Sequence, residues 1–195
     1  MISHHTTSFA VAAVSALAFA ASGLISPASA QQKPAAKPQP AASAAKGGQT
    51  QALLLETSGR WQAFSSQPGK PKMCYALSKP ASRSPANLKD VEGFLFVSTR
   101  PAEGVRNEIS LVMKFDLKEN VEHVAIVGEN RFSLAAKGQN LWLKNPAEES
   151  RMLDAMRRGT DMEIRATSKK GNATSDKYSL SGVAQTVKKA EDACK

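Results

Sequence analysis

Residues 93–116 constrain the fold most, because their apolar side chains follow the two-residue period of β-strands. The run from 93 to 100 is apolar at successive positions, which is typical of a strand in the middle of a packed sheet. In residues 105–116, apolar side chains occupy every second position from Ile109 to Phe115, the pattern of a half-buried strand. Pro101 and Gly104 lie between the two runs and favour a turn. The sequence therefore predicts a β-hairpin here.

Further strand-like runs recur at intervals of about ten residues, the spacing of β-sandwiches and barrels. They cover residues 59–64, 73–77, 123–127, 131–134, 139–144, 161–167 and 175–181. Residues 80–87 are rich in polar residues and proline, and we expect a loop there. This pattern predicts a mainly β fold: a single antiparallel domain that resembles a sandwich or a barrel.

Two segments carry helix signals instead. Asn145 is a good N-cap, Pro146 suits the first helical position, and Gly159 ends the segment. Residues 182–194 form a second, C-terminal helix. The side chains expected to face the core are Met152, Leu153, Met156, Val183, Val187 and Ala190.

Residues 1–30 have the layout of a secretory signal peptide. Residues 9–25 are apolar or small without a charge, and Ala28-Ser29-Ala30 fits the rule for signal-peptidase cleavage. We expect cleavage after Ala30 and export to the bacterial periplasm or beyond. Residues 1–8 contain no Lys or Arg, so an uncleaved membrane anchor is the alternative.

Residues 31–52 form a predicted linker between the signal peptide and a domain at 53–195. This segment is rich in Gln, Pro, Ala and Lys, and three prolines interrupt any helix. Its apolar content is nearly all Ala, which is too little to bury against a core. We therefore expect it to be disordered.

The chain has a formal net charge of +9, and residues 1–30 contribute nothing to it. A basic exported protein suits anionic envelope components such as lipid headgroups and acidic glycans, with membrane association peripheral at most. Nucleic acid is excluded as a partner by the compartment. The other interpretation is that the charge only maintains solubility, and the sequence determines neither a partner protein nor the oligomeric state.

Cys74 and Cys194 are the two cysteines. In an oxidising compartment an isolated pair usually bonds, and the chain-entropy model assigns such a long loop about 4–5 kcal/mol of stabilisation. A catalytic thiol is the alternative, but neither cysteine lies in a Cys-x-x-Cys pair or beside a histidine. The sequence therefore predicts a structural disulfide.

The residues needed for common catalytic sites are missing. After cleavage His123 is the remaining imidazole, and it lies on an alternating strand where a structural role is expected. The chain has no nucleophile elbow, phosphate-binding glycine loop or metal-ligand spacing. Glu148–Glu149 and Glu191–Asp192 are adjacent acids, which point to different sides of a helix. We expect no enzymatic activity, cofactor or metal, with an envelope hydrolase that uses carboxylates as the alternative.

Two surface clusters are candidate partner sites. The first is the hairpin tip, where polar residues are accessible; the other interpretation of it is an internal Arg–Glu cluster that fixes the turn. It comprises Arg100, Glu103, Arg106, Asn107 and Glu108. The second is a basic set at helix ends and a turn, for which solvated surface is the usual interpretation. It comprises Arg157, Arg158, Lys169, Lys170, Lys188 and Lys189.

An ordered set of short motifs runs from residue 59 to 194. Trp61 precedes Met73-Cys74-Tyr75, and residues 96–101 (Phe-Val-Ser-Thr-Arg-Pro) run into 104–108 (Gly-Val-Arg-Asn-Glu). Residues 154–159 (Asp-Ala-Met-Arg-Arg-Gly) and 178–182 (Tyr-Ser-Leu-Ser-Gly) follow, before a C-terminal helix with its Cys. With this set the chain resembles the invasion-associated locus B family of exported bacterial proteins.

The resemblance implies an exported protein with a role in host-cell invasion or in envelope physiology, and it implies no catalytic residue. Many relatives carry additional cysteines, which this chain lacks, so a second disulfide is not expected. We therefore expect a non-enzymatic envelope protein that acts through surface contacts. A structural binder of anionic lipid or glycan is a further alternative.

Overall fold

Eleven antiparallel strands form one sheet in the residues that the computed structural model describes, which are 52–66, 70 and 72–195. The predicted signal peptide (residues 1–30) and residues 31–51 of the predicted linker lie outside the described residues. The strands are β1 (Leu53–Ser58), β2 (Trp61–Ser65), β3 (Cys74–Ser78), β4 (Ser82–Ser84), β5 (Phe94–Arg100), β6 (Val105–Val112), β7 (His123–Val127), β8 (Asn130–Lys137), β9 (Asn140–Leu143), β10 (Asp161–Thr167) and β11 (Ala173–Ser179).

The strand order across the sheet is β1-β2-β3-β5-β6-β9-β8-β7-β10-β11-β4. In the described part of the chain β1 and β4 are the two edges, so the sheet is not a closed barrel. Two α-helices accompany it, α1 (Glu149–Arg158) and α2 (Val183–Ala193). The predicted mainly β, antiparallel fold with one internal and one C-terminal helix is therefore confirmed. Over these same residues, no helix is long and apolar enough to cross a membrane.

The sheet coils so that its two halves face each other across an apolar core. The indole nitrogen of Trp61 on β2 donates to the carbonyl oxygen of Ser179 on β11, 2.9 Å away, although these strands are far apart in the strand order. Helix α2 packs against β1, β2 and β3, and α1 packs against β6. Both helices thus lie on the concave side of the sheet, and the opposite side of the strands is convex.

The apolar positions predicted for the helices are the ones that pack into this core. Met152 and Met156 on α1 are fully buried, as are Val183 and Val187 on α2 to within a few per cent. The side chain of Asn145 accepts a hydrogen bond from the backbone N–H of Ala147, 3.1 Å away, at the start of a 3-10 turn that leads into α1. A 3.6-residue apolar period therefore accounts for both helices, and side-chain capping adds to it in the 3-10 turn that leads into α1.

The structure differs from the sequence expectations in several places. Residues 53–58 form β1, which the predicted runs do not include, and residues 59–60, predicted as strand, form the turn between β1 and β2. The loop predicted at residues 80–87 contains the short strand β4, which pairs with β11. Strand β6 ends at Val112 rather than continuing to residue 116, because Lys114 adopts a left-handed backbone conformation (φ 60°) that interrupts the extended chain.

The structure brings the sulfurs of Cys74 and Cys194 together in a disulfide, with the two Sγ atoms 2.07 Å apart. Cys74 begins β3 and Cys194 follows α2, so the bond ties the C-terminal helix to the sheet. Ala63 and Ala190 pack around it in a small apolar cluster that is separate from the main core. The bond therefore fixes α2 against the concave side of β2 and β3.

Candidate functional site

The hairpin tip is an internally paired cluster. Arg100 donates from Nε to Glu103 Oε2 at 2.7 Å and from Nη2 to Glu108 Oε2 at 2.9 Å. These bonds hold the pKa of the Arg100 guanidinium above its ordinary value. Both acids of the tip are thus neutralised by the same arginine, which is the arrangement that the sequence analysis weighed as the alternative.

In the described part of the chain, Asn107 and Arg106 form no bond with the Arg100 cluster. Asn107 has a positive φ of 56°, and its Nδ2 donates to Glu191 Oε1 on α2 at 2.8 Å. Arg157 Nη2 on α1 donates to the same oxygen at 3.0 Å. Arg106 is exposed and forms no hydrogen bond or ion pair within the described ranges. Asn107 therefore helps to dock the helices, and a partner-binding role of the tip remains a prediction.

The second predicted cluster, the basic set, is partly neutralised. Arg157 pairs with Glu191, and Lys188 pairs with Asp192 on the same helix at 2.5 Å. Lys169 lies in the β10–β11 turn, where its backbone N–H donates to the carbonyl oxygen of Asp116. Arg157 and Lys188 therefore have acidic partners of their own, and a shared anionic site formed by the remaining members stays a prediction.

His123 is held by backbone groups on both ring nitrogens. Its side chain is 1% exposed; Nδ1 accepts from the N–H of Thr167 at 3.2 Å, and Nε2 lies 2.8 Å from the carbonyl oxygen of Lys118. The first bond requires an unprotonated Nδ1, so Nε2 carries the proton and donates. Both ring nitrogens thus link β7 to the backbone of Lys118 and Thr167.

The convex side of the sheet has a further surface that the sequence patterns do not predict. The convex side of β1, β2, β3, β5, β6 and β9 carries a continuous set of apolar side chains, which we call the aromatic face. It comprises Leu54, Phe64, Tyr75, Leu77, Phe94, Phe96, Val112 and Trp142. The strand register produces it, because residues paired across an antiparallel ladder point to the same side.

The rings of the aromatic face contact one another across three strands. Phe64 stacks on Tyr75 with ring centroids 5.2 Å apart, and Tyr75 meets Phe96 edge-on at 5.8 Å. Phe96 lies 6.2 Å from Phe94 along β5. At the margins, Trp142 is 37% exposed and Leu54 is 49% exposed. The aromatic face is therefore a connected apolar surface that solvent reaches.

Two lysines border the Phe94 end of the aromatic face. Lys79 Nζ lies 5.4 Å and Lys114 Nζ 5.9 Å from the centroid of the Phe94 ring, distances typical of cation–π contacts. Lys79 also pairs with Glu92. The paired Arg100 stands at the other end of β5, on the same side of the sheet.

The convex side of the other half of the sheet is polar. There Arg165 donates to Glu163 Oε2 at 2.8 Å, and Ser175 donates to the other oxygen of Glu163 at 2.7 Å. These bonds lower the pKa of Glu163, those from Arg165 most. Arg131 and Lys177 are exposed on the same side. The apolar convex surface is therefore a property of one half of the sheet and not of the fold as a whole.

One signal in the sequence pointed to the aromatic face. Residues 93–100 are apolar on both sides of the strand, which indicated a strand buried on both sides. The structure places β5 inside the sheet, but only Leu95 and Val97 lie in the core, while Phe94 and Phe96 are half-buried on the convex side. The side of β5 that carries Phe94 and Phe96 is not covered by another element in the part of the chain described.

Comparison with known proteins adds one finding about the fold. No protein-family model and no curated protein sequence matches this chain. Among solved structures, it is similar to the crystal structure of invasion associated protein B from Bartonella henselae, with a TM-score of 0.53 and 14% sequence identity. The match covers 72% of this chain and 96% of that one. At this identity the likeness shows a common fold alone. The solved protein is of the kind that the sequence motifs resemble.

Proposed function

We propose that this chain is an exported envelope protein of the invasion-associated locus B type, which acts by surface contact and has no catalytic role. The ordered motifs and the fold likeness to invasion associated protein B support the type. The N-terminal sequence supports export, with cleavage after Ala30 and a periplasmic or secreted mature chain. Its role is in host-cell invasion or in the physiology of the envelope.

The observation that carries the proposed mode of action is the aromatic face. Connected apolar surfaces that remain open to solvent mark interaction sites, because hydration of such a surface is unfavourable and binding relieves it. Phe64, Tyr75 and Phe96 contact one another but have no covering element among the described residues. The same aromatic side chains supply most of the energy in typical interfaces.

The hairpin tip extends this contact surface. Glu108 follows Ser110 on the convex side of β6 and is paired in register with Ser98, beyond which Arg100 ends β5. Arg106 adds an exposed cation beyond them. A partner bound on the aromatic face reaches the tip by extending along the hairpin.

A pull-down tests the proposal. The protein is purified from its native host, and the envelope components that it recovers are identified. The face variant is Leu54→Gln/Trp142→Gln, which removes the two large apolar side chains that are already well exposed. The control is Ile126→Gln, a half-buried apolar residue on the polar convex half. Arg100→Ala/Arg106→Ala tests the tip separately.

We expect the face variant to lose its partners and the Ile126 variant to keep them, with thermal unfolding confirming that all variants are folded. Loss with the tip variant would add the tip to the contact. Equal recovery by wild type and face variant would remove the aromatic face from the proposal. Intact-mass measurement of the host protein checks cleavage after Ala30, and retention of Met1 would contradict it.

A further inference from the structure

We propose that the aromatic face binds the surface of an anionic lipid bilayer. This inference rests on the proposed function, since it names the partner of the same surface in an exported envelope protein. Shape, side-chain chemistry and charge each support it.

The shape of the aromatic face suits a soft, planar interface. The concave side of the sheet encloses α1 and α2, so the side that carries Phe64, Tyr75 and Phe96 is convex. A convex surface offers no groove for an extended peptide and needs a concave protein to match it. A lipid interface deforms and accepts the apex of such a surface without a matching shape.

The side chains are those that lipid interfaces favour. Trp and Tyr concentrate at the boundary between headgroups and acyl chains, where an apolar ring and one polar atom are both accommodated. The aromatic face has one of each at its surface, Tyr75 in the middle and Trp142 on β9. Phe94, Phe96 and Leu54 supply the apolar area that enters the acyl boundary.

The three acids around the aromatic face are all paired with cations, which leaves Lys114 as a cation without an ion-pair partner in the described part of the chain. The ammonium groups of Lys79 and Lys114 lie over the ring of Phe94, close enough to meet phosphate groups when that ring enters the interface. The neighbouring acid is Glu92, which pairs with Lys79. At the opposite end Glu103 and Glu108 are both bound by Arg100, so they do not oppose an anionic surface.

A second copy of the chain is a poorer occupant than lipid. Each chain has a formal net charge of +9, and face-to-face pairing would bring the Lys114 side chains of two copies, which have no ion-pair partner in the described residues, toward each other. Like charges at such a contact oppose association. The anionic bilayer gains from the same charges that a homodimer must overcome.

Binding to vesicles tests the inference directly. The protein is mixed with vesicles of phosphatidylcholine alone or with phosphatidylglycerol added, and bound protein is separated by flotation. Trp142 is 37% exposed and Trp61 is fully buried, so a blue shift of tryptophan fluorescence on vesicle addition reports Trp142 at the interface. We expect binding and the shift with the anionic vesicles only, both weakening as NaCl rises from about 50 mM to about 500 mM.

Two charge-matched variants give the deciding comparison. Lys79→Gln/Lys114→Gln removes two positive charges at the aromatic face, and Arg131→Gln/Lys177→Gln removes two from the polar convex half. We expect about tenfold weaker vesicle binding for the first and less than about twofold change for the second. These four side chains lie on the convex surface outside the core, so the variants should fold; thermal unfolding checks this.

Equal binding of the two variants, or no shift of Trp142 fluorescence, would overturn the inference. Concentration-dependent dimerisation that is abolished by Leu54→Gln/Trp142→Gln would assign the aromatic face to a second copy instead. If vesicles fail but the aromatic face is still required to recover an envelope protein, the lipid inference is wrong and the proposed function stands. If both experiments fail, both proposals are wrong.

Discussion

Arg83 and Asp176 form a buried ion pair with two parallel hydrogen bonds, between the edge strand β4 and its neighbour β11. Arg83 Nε lies 2.9 Å from Asp176 Oδ1, and Nη2 lies 2.7 Å from Oδ2. The side chains are 3% and 0% exposed. Arg83 Nη1 also donates to the carbonyl oxygens of Val91 at 2.8 Å and Met113 at 3.2 Å. The guanidinium of Arg83 thus links the edge strand β4 to the residues just before β5 and just after β6.

Removing one partner of this pair should be more harmful than removing both. Arg83→Met leaves the Asp176 carboxylate buried without its cation, and such changes cost about 3–5 kcal/mol. The double variant Arg83→Met/Asp176→Leu leaves no buried charge and should recover a large part of that loss. Urea unfolding of the three proteins measures the difference. A double variant as unstable as the single one would show that the pair is needed for its geometry.

The disulfide should account for a large share of the stability. Cys74→Ser/Cys194→Ser opens a loop with a sequence separation of 120 residues. The chain-entropy model assigns about 4–5 kcal/mol to closing a loop of this length. Chemical denaturation of the variant, and of wild type with and without reductant, measures the loss. Reduced wild type and the variant should unfold at the same midpoint, and an unchanged midpoint on reduction would contradict the prediction.

Glu149 should make the stability depend on pH. Burial raises the pKa of its carboxyl above the ordinary 4.5, and Glu108 adds to the increase, while the Ile109 N–H and Arg100 oppose it. Between the ordinary pKa of the unfolded state and the raised pKa of the folded state, the folded protein binds more protons than the unfolded protein. The free energy of unfolding therefore falls as pH rises through that interval. Glu149→Gln removes this loss and keeps an acceptor for the Ile109 N–H.

The advantage of the Glu149→Gln variant over wild type should therefore be greater at about pH 7 than at about pH 4. Urea midpoints at the two pH values measure it. A difference that does not change with pH would mean that the carboxyl does not titrate differently on unfolding.

Gly182 should tolerate no side chain. Its φ is +98°, and a Cβ built there would lie 2.1 Å from the carbonyl oxygen of Ser58. Gly104 in the hairpin turn also has a positive φ, +69°, but a Cβ there would have no atom within 4 Å. Gly104→Ala should thus cost only the left-handed backbone penalty of about 1–2 kcal/mol. Gly182→Ala should cost more, measured as a larger fall in Tm, and equal losses would contradict the clash.

Much of the fold follows from local patterns in the sequence. The β5–β6 hairpin, α1 and α2 were predicted because alternation, caps and apolar stripes act within one or two turns of chain. Strand β4 was missed, because three polar residues carry no strand signal of their own. It pairs with β11, where Arg83 bonds Asp176, a residue 93 positions later in the chain. No local pattern contains that contact.

The site was predicted less well than the fold, for a related reason. Apolar residues on both sides of β5 indicated burial, but whether the second side is covered depends on where the helices pack. Both helices lie on the concave side, which leaves Phe94 and Phe96 open to solvent. The Arg100–Glu103–Glu108 cluster was foreseen, because short spacing along one hairpin brings these charges together. The partner of the hairpin tip remains a prediction.

Cys74 and Tyr75 are neighbours on β3 that point to opposite sides of the sheet. Cys74 fastens a helix behind the strand, and Tyr75 stands among the rings in front of it. The disulfide therefore supports, from the concave side, the strand that carries Tyr75 on the aromatic face. Reduction would leave each ring chemically intact while removing the bond beneath the strand that holds the rings in line, so the proposed binding by the aromatic face should weaken wherever the two sulfurs are not kept oxidised.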